Sequence, residues 1–544
     1  MTMLGLMMNR PLLISSLIRH ADRCHGDGEI VSRTVEGPIH RYTYRDAHSR
    51  SRRLARALRR LGVAPGERVG TLAWNGYRHF ELYYAVSGME AIIHTINPRL
   101  FFDQLTYIVH HAEDRLIFFD LTFLPLVEKL APQCGGVTAW IALTDRAHLP
   151  QSTLPNLRCY EDLLAGETDD FDWPDFDENT AAGLCYTSGT TGHPKGVLFS
   201  HRSSVLHAYA VSLPDAKGYS AHSVVLPVVP MFHVNAWGIP YAAALTGAKL
   251  VLPGAGMDGA SLYELFETEK VESSAGVPTV WLNLIAYMQE RRLQFSTLKY
   301  ATIGGAAVPP AMVRTLTDDF GLKVLHGWGM TEMSPVGTIN TDKAKHRHLS
   351  SADRFALSLK QGRALPGVEM KIVDGNGAEL PWDGKSAGDL LVRGPWILRE
   401  YYRDEGGSPL TADGWLPTGD VGTIDADGYL QITDRSKDMI KSGGEWISSI
   451  ELENIAVGHP DVAEAAVIGV KHPRWSERPL LLVVRKAGAG VDRASMLGYY
   501  EGKIAKWSTP DDVVFVDELP HTATGKLSKR TLREQFKDYR LPTA

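Results

Sequence analysis

Cysteine is scarce: Cys24, Cys134, Cys159 and Cys185 are the 4 in 544 residues, and no CxxC spacing occurs among them. That excludes a zinc ribbon and a disulfide-stapled secreted scaffold, and it fits a reducing cytoplasm. Charge of one sign is lacking too. Lys and Arg total 57 against 63 Asp and Glu, a net charge of −6 over the whole chain, so nucleic acid is not an expected partner. No hydrophobic run qualifies as a transmembrane span. The best candidate, residues 223–248, has no Asp, Glu, Lys or Arg, but Pro227, Pro230, His233, Asn235 and Pro240 interrupt it. It reads as buried core around a site. At the N-terminus Arg10 breaks the apolar residues and no small-residue cleavage site follows, which argues against a secretory signal.

What is present is an ordinary globular composition, 44% hydrophobic and 22% charged, long enough for roughly three to four structural units. Apolar runs at 69–74 and 91–96 flank Phe80, Tyr83, Tyr84 and Ser87 at helical spacing, which reads as strand, helix, strand. The alternation continues through runs at 116–119, 137–143, 224–229, 250–252, 300–303 and 324–325, predicting layered parallel units. From about residue 365, Asn376–Gly377, Asp413–Gly414 and Asp427–Gly428 read as β-hairpin turns. A calcium loop around Asp425 is rejected, because Thr423 precedes it and Asp434 stands where the bidentate Glu belongs. Beyond 434 a smaller unit carries strands near 462–470, 480–484 and 513–516, a helix near 494–506 and a last helix from about 528. The expected fold class is α/β: a large N-terminal domain, 1–436, of layered parallel α/β units with a β-rich part at about 365–436, then a small α+β domain, 437–544.

The strongest local signal is Tyr186-Thr187-Ser188-Gly189-Thr190-Thr191-Gly192-His193-Pro194-Lys195-Gly196, which follows the apolar run 181–185. Hydroxyls and glycines at this density let N–H and O–H groups surround phosphate oxygens, and Lys195 adds positive charge. It is not a Walker A loop, whose GxxxxGK(S/T) pattern is absent from the chain. A flexible surface loop would account for the Gly, Ser and Thr but not for the Pro-Lys-Gly finish.

This segment resembles the phosphate loop of the adenylate-forming superfamily, which includes acyl-CoA synthetases, peptide-synthetase adenylation domains and luciferases. Other segments resemble that family's signatures in the same order: His326-Gly327-Trp328-Gly329-Met330-Thr331-Glu332, Thr418-Gly419-Asp420, Asp434-Arg435-Ser436-Lys437-Asp438, Lys441-Ser442-Gly443-Gly444-Glu445-Trp446 and Thr524-Gly525-Lys526. The resemblance implies a mobile C-terminal domain and a two-step reaction. Carboxylate plus ATP gives acyl-adenylate and pyrophosphate, and a thiol then takes the acyl group. Carboxylate and triphosphate repel, so cations must sit where charge gathers in the transition state.

The resemblance also implies roles. Lys526 bridges carboxylate and α-phosphate. Glu332, helped by the Thr187 hydroxyl, lies beside Mg2+, a hard ion that takes oxygen ligands. Thr331 contacts the α-phosphate, Trp328 offers an aromatic face near adenine, and Asp420 accepts from the ribose hydroxyls with Arg435 as matching donor. Ser188, Gly189, Thr190, Thr191, Gly192, Lys195, His233 and Gly305 complete the nucleotide set. Lys437 is the hinge, and rotation about it exchanges Lys526 for Lys441, Ser442, Gly443, Gly444, Glu445 and Trp446, which resemble the lining of the pantetheine tunnel. Lys441 would then sit near the acyl-adenylate. The implied cofactors are Mg2+, ATP and CoA, the implied partners are small molecules, and a homodimer is left open.

The segment Pro230-Met231-Phe232-His233-Val234-Asn235-Ala236-Trp237-Gly238 matches one that in relatives begins a helix beside the substrate carbonyl. Amino-acid-activating relatives carry an aspartate there; this chain has His233, so an amino acid would bury its ammonium unpaired. His233 and Trp237 are four apart and on a helix would share a face. They are expected to wall an acyl pocket with Gly304, Gly305 and Met330. HVNAWG together with SGGEWISSIELEN most resembles the branch containing medium-chain fatty acid CoA ligases and 3-methylmercaptopropionate CoA ligase. Both acids carry a carboxylate on a slender apolar chain. The choice between them stays open, as do an aryl acid such as a cinnamate and an acyl-AMP ligase that loads a carrier protein. Intact Lys526, Glu332 and Asp420 argue against a degenerate, non-catalytic homologue.

Overall fold

Strand Arg68–Leu72, helix Tyr77–Gly88 and strand Ile92–Thr95 form in the computed structural model as their spacing predicts, and the two strands pair in parallel, Val69 beside Ile93. The structure describes residues 3, 5–187, 193–403, 407–442, 445–522 and 526–544. Among these, the first unit lies in a 7-stranded sheet whose spatial order is 157–159, 139–142, 114–119, 68–72, 92–95, 181–186, 196–200. All its pairs are parallel except the edge strand Gly196–Ser200, which returns antiparallel on Ala181–Tyr186. A 9-stranded sheet runs 363–364, 336–339, 323–329, 300–303, 273–276, 224–227, 249–252, 29–33, 39–43. Its middle strands are short and largely buried on both faces, the pattern of parallel sheets covered by helices.

Helices Ile14–His25, Tyr44–Arg60, Tyr77–Gly88, His201–Ser212 and Ile239–Thr246 fill the space between these sheets and share one core. Helix Tyr44–Arg60 starts on a capping box, in which the Thr43 hydroxyl and the Asp46 carboxylate each satisfy the other's backbone N–H. Helix Tyr77–Gly88 is buried on every side, its charged residues included. Glu81 survives there because Arg50 Nε donates to it at 2.7 Å and the Tyr160 hydroxyl at 2.6 Å. An unpaired carboxylate in that position would cost several kcal/mol.

The β-rich part is an antiparallel sheet of Glu369–Val373, Gly388–Arg393, Leu416–Ile424 and Leu430–Arg435. Asp427–Gly428 is a hairpin turn between paired strands, as expected, with Gly428 at φ 83°. Asn376–Gly377 turns a short antiparallel pairing, Val373 opposite Glu379 with Leu380 N donating to Ile372 O, whereas Asp413–Gly414 corrects the expectation and closes only a local loop from Thr411 to Trp415. Their own side chains make them self-sufficient: Asp374 Oδ1 accepts from the Asn376 and Ala378 N–H groups, and the Thr411 hydroxyl donates to Asp413. The last sheet is built on the long pair Val462–His472 and Ser476–Arg485, with Ile440–Ser442, Glu445–Ile447 and Asp512–Phe515 added. It has a core cluster on each face. The helix expected near 494–506 is only Arg493–Gly498, and the chain then turns, with Gly502 at φ 73°. Among the described residues no helix is long and apolar enough to cross a membrane, and the cysteines are unpaired.

Asn75, just beyond strand Arg68–Leu72, ties the two large sheets together. Its Nδ2 donates to the Pro227 and Val229 carbonyls at 2.8 and 3.0 Å, and its Oδ1 accepts from Met231 N at 2.7 Å. Asn75→Ala strands three buried backbone groups at once. It should lower the unfolding free energy by about 3 kcal/mol or more in denaturant titration, and an unchanged midpoint would contradict this role.

Candidate active site

A cavity of about 740 Å3 opens where the two large sheets, the β-rich sheet and the last sheet meet. Thr187, Lys195, His233, Trp237, Gly304, Gly305, Trp328, Met330, Thr331, Glu332, Arg435, Lys437 and Lys526 all line it. Residues scattered over the chain, and singled out separately, therefore share one space. Ser188 to Gly192, Gly443, Gly444, Thr524 and Gly525 lie outside the described residues.

Backbone pairing places the phosphate-loop ends. Tyr186 faces Gly196 across the edge strands, Thr187 N donates to Lys195 O at 2.9 Å, and Lys195 N donates to the Thr187 hydroxyl at 3.1 Å. The Lys195 ammonium lies 4.6 Å from the centre of the Tyr401 ring. Tyr401 in turn donates its hydroxyl to Glu332 Oε1 at 2.8 Å. Glu332 follows strand Lys323–Gly329, where a close approach forces a glycine: a Cβ on Gly329 would lie 1.9 Å from the Pro335 carbonyl oxygen. Among the described residues no three His, Cys, Asp or Glu converge there. One carboxylate oxygen and the Thr187 hydroxyl in a single cavity suit Mg2+, which completes its shell with phosphate oxygens and water.

Asp420 and Arg435 are cross-strand partners in the hairpin 416–435, which makes their meeting a matter of register. Asp420 Oδ1 is 3.3 Å from Arg435 Nε, and its Oδ2 accepts from the Trp328 indole N–H at 2.8 Å. The carboxylate thus orients both the guanidinium and the indole. Lys526 reaches this region from the connection between strand Asp512–Phe515 and helix Lys529–Gln535. Burial and the Arg435 guanidinium pull its ammonium down to about 8, against the opposing pull of Asp420 and Glu332. Burial, with the Lys526 and Arg99 cations, holds the His233 imidazole down at about 3, so it is neutral at physiological pH.

The helix expected to carry His233 and Trp237 is not there. Val234, Asn235, Ala236, Trp237 and Gly238 all have positive φ, a left-handed turn, and the right-handed helix begins only at Ile239. The i, i+4 spacing therefore does not explain their common face. The turn does so by a different route, since both residues line the cavity. The Trp237 ring reaches across to the two glycines: a Cβ on Gly304 would stand 3.4 Å from it.

The pair Ile440–Ser442 and Glu445–Ile447 lies apart from the cavity, with Lys441 opposite Trp446 and its ammonium 4.7 Å from the exposed indole. Ser442 is buried and accepts from Arg478, and Glu445 is exposed. Tyr107 and His111, missed from the sequence, stack with His193 at the phosphate-loop end, with ring centroids 5.3 Å apart for Tyr107–His111 and 4.4 Å for Tyr107–His193. Tyr107 and His111 are four apart on helix Phe102–Ala112, a spacing that could have signalled them. Tyr401 has no such signal.

Such a site can hold a nucleoside triphosphate and bring a carboxylate to its α-phosphorus, the arrangement of an adenylate-forming enzyme. Residues 18–402 match the AMP-binding enzyme family and residues 451–526 the AMP-binding enzyme C-terminal domain. The chain is 53% identical to the 3-methylmercaptopropionyl-CoA ligase of Ruegeria lacuscaerulensis, covering 98% of this chain and 99% of that protein. It is 48% identical to the medium-chain-fatty-acid–CoA ligase of Ectopseudomonas oleovorans, covering 98% of each. It also resembles the crystal structure of the anthranilate CoA ligase AuaEII in complex with anthranoyl-AMP, with TM-score 0.85, 25% identity, and 96% and 98% of the two chains covered. The chain belongs to the AMP-binding enzyme family. It is an acid–thiol ligase of the AMP-forming kind, a class that uses ATP, CoA and Mg2+.

If adenylate formation needs Lys526 charged, activity is present below its folded pKa of about 8 and is lost as pH rises through it. The kcat/KM for ATP in pyrophosphate release should fall above about pH 8, and in Lys526→Arg that limb should move beyond about pH 10. A wild-type profile flat from about pH 7 to about pH 9 would contradict the assignment.

Proposed function

We propose that the chain activates a short- or medium-chain monocarboxylic acid, a fatty acid or 3-methylmercaptopropionate, as acyl-AMP and passes the acyl group to CoA. The supporting observation is a single cavity with two chemistries. Thr187, Lys195 and Glu332 line its polar end, while Trp237, Val277, Val336 and Ile339 supply apolar wall. Glu332 is the one carboxylate among the described lining residues, and Tyr401 engages it. An amino acid would leave its ammonium without a partner.

In the first half-reaction a carboxylate oxygen attacks the α-phosphorus. The new O–P bond forms as the bond to the bridging oxygen breaks, and pyrophosphate leaves with that electron pair. Lys526 faces the charge that gathers there, with neutral His233 at the acid's carboxyl end. Asp420 and Arg435 hold the ribose, Trp328 flanks the adenine and Thr331 the α-phosphate. Mg2+, when bound at Glu332 and Thr187, neutralises phosphate charge. In the second half-reaction the domain 437–544 turns about Lys437 and brings in the Lys441–Trp446 hairpin. The CoA sulfur attacks the acyl carbon, the C–S bond forms, the C–O bond to AMP breaks, and the thiol proton passes to solvent. Lys526 in the cavity and Lys441 outside it suit the first half-reaction. Four unpaired cysteines fit a cytoplasmic setting.

Pyrophosphate release across a panel of acids, with and without CoA, tests the reading. Slender monocarboxylic acids should release it, and the thioester should form with CoA; release only with cinnamates or amino acids would overturn it. Trp237→Ala should lengthen the preferred acid, because the indole closes the pocket over Gly304. At roughly 0.8 kcal/mol per buried methylene, two or three added carbons shift kcat/KM by about tenfold or more. An unchanged chain-length profile would make Trp237 ordinary core.

A further inference from the structure

Lys217 is a buried cation that the proposed reaction leaves unused. It lies beyond helix His201–Ser212, is 6% exposed, and lines the same cavity as Trp237 and Thr302. Its Nζ donates to the Trp237 carbonyl at 3.0 Å, and among the described residues no carboxylate pairs with it. A lysine head has donors to spare after one such bond. Thr302 adds a hydroxyl, 2% exposed, with no hydrogen-bond partner among the described residues. Polar groups left dry in an apolar surround cost free energy unless something completes them. Burial draws the Lys217 ammonium down to about 7, and its titratable neighbours offer no negative charge. His207 is held neutral by burial and by Lys217 itself, and burial raises the Tyr219 phenol well above its usual value.

We propose that Lys217, with Thr302, reads a neutral hydrogen-bond acceptor in the distal part of the acyl chain: an ether, thioether, hydroxyl or carbonyl. This rests on the reading under Proposed function and deepens it from chain length to chain chemistry. A neutral acceptor can take a hydrogen bond from the amine or the ammonium form of Lys217. A dicarboxylate would have to strip water from a second charge among Val277, Val336 and Ile339, which also line the cavity. Lys217 further positions the pocket wall, because the carbonyl it holds belongs to Trp237.

The test walks one oxygen, then one sulfur, along linear acids and compares each with the all-carbon acid of equal length. The readout is the ratio of kcat/KM for pyrophosphate release by the full chain. In the wild type one chain position should favour oxygen by about tenfold over its neighbours, with sulfur, the weaker acceptor, gaining less. Lys217→Met should erase that peak, and Lys217→Gln, which keeps a donor, should retain part of it. A ratio equal at every position in the wild type overturns the proposal, as does a peak that survives in Lys217→Met. So does a preference for dicarboxylates such as glutarate over every neutral acid. The wild-type walk decides alone if the variants do not fold. Failure of every all-carbon acid to release pyrophosphate would instead reject the underlying ligase reading.

Discussion

Two anions, a carboxylate and a triphosphate, have to meet before any acyl group can be activated, and in the proposed mechanism Lys526 answers that repulsion. The lysine lines the main cavity although it lies near the C-terminal end of the chain, between strand Asp512–Phe515 and helix Lys529–Gln535. Docking at the β-rich hairpin puts it there. Asp434, fully buried, accepts from Ser449 N and Ser449 Oγ at 2.6 and 2.7 Å, and the Ser448 hydroxyl donates to Thr433 O at 2.6 Å. Burial and the charges of Arg435, Asp420 and Glu332 set the pKa of the Lys526 ammonium there, and Lys526 in turn helps hold His233 neutral. In the proposed mechanism these polar contacts are released between the two half-reactions, as one lysine serving only the first would require.

The acid side of the cavity depends on a different constraint, a strained backbone. A left-handed turn through Val234, Asn235, Ala236 and Trp237 costs roughly 1–2 kcal/mol per residue relative to the right-handed form. It persists because the surroundings over-determine it. Asn75 fixes the backbone before the turn, the Tyr83 hydroxyl reaches Met231 O and Asn235 Oδ1, and Lys217 holds the Trp237 carbonyl. The strain presents His233 and Trp237 to the same cavity.

Much of this was legible in the sequence. The parallel units followed from buried apolar runs, and the chemistry-bearing motifs from hydroxyl, glycine and charged residues at fixed spacings. What escaped had physical reasons. The hairpin Glu29–Arg33 and Ile39–Thr43 joins the nine-stranded sheet beside Lys249–Leu252, a pairing across more than two hundred residues that local patterns cannot reveal. The His233–Trp237 relation was read with right-handed periodicity, and a left-handed turn has another. Tyr401 and Lys217 act through tertiary contacts, among them those to Glu332 and to the Trp237 carbonyl, and these leave no trace in local spacing.

The central claim is that Lys526 serves adenylate formation and leaves the cavity before the thiol attacks. Measuring the two half-reactions separately in Lys526→Ala tests it most directly, with pyrophosphate release for the first and thioester formation from supplied acyl-AMP for the second. The account predicts that the first falls by about 10²- to 10³-fold, as when a transition-state donor is removed, while the second stays close to the wild-type rate. A parallel fall in both half-reactions, or none in the first, would contradict it.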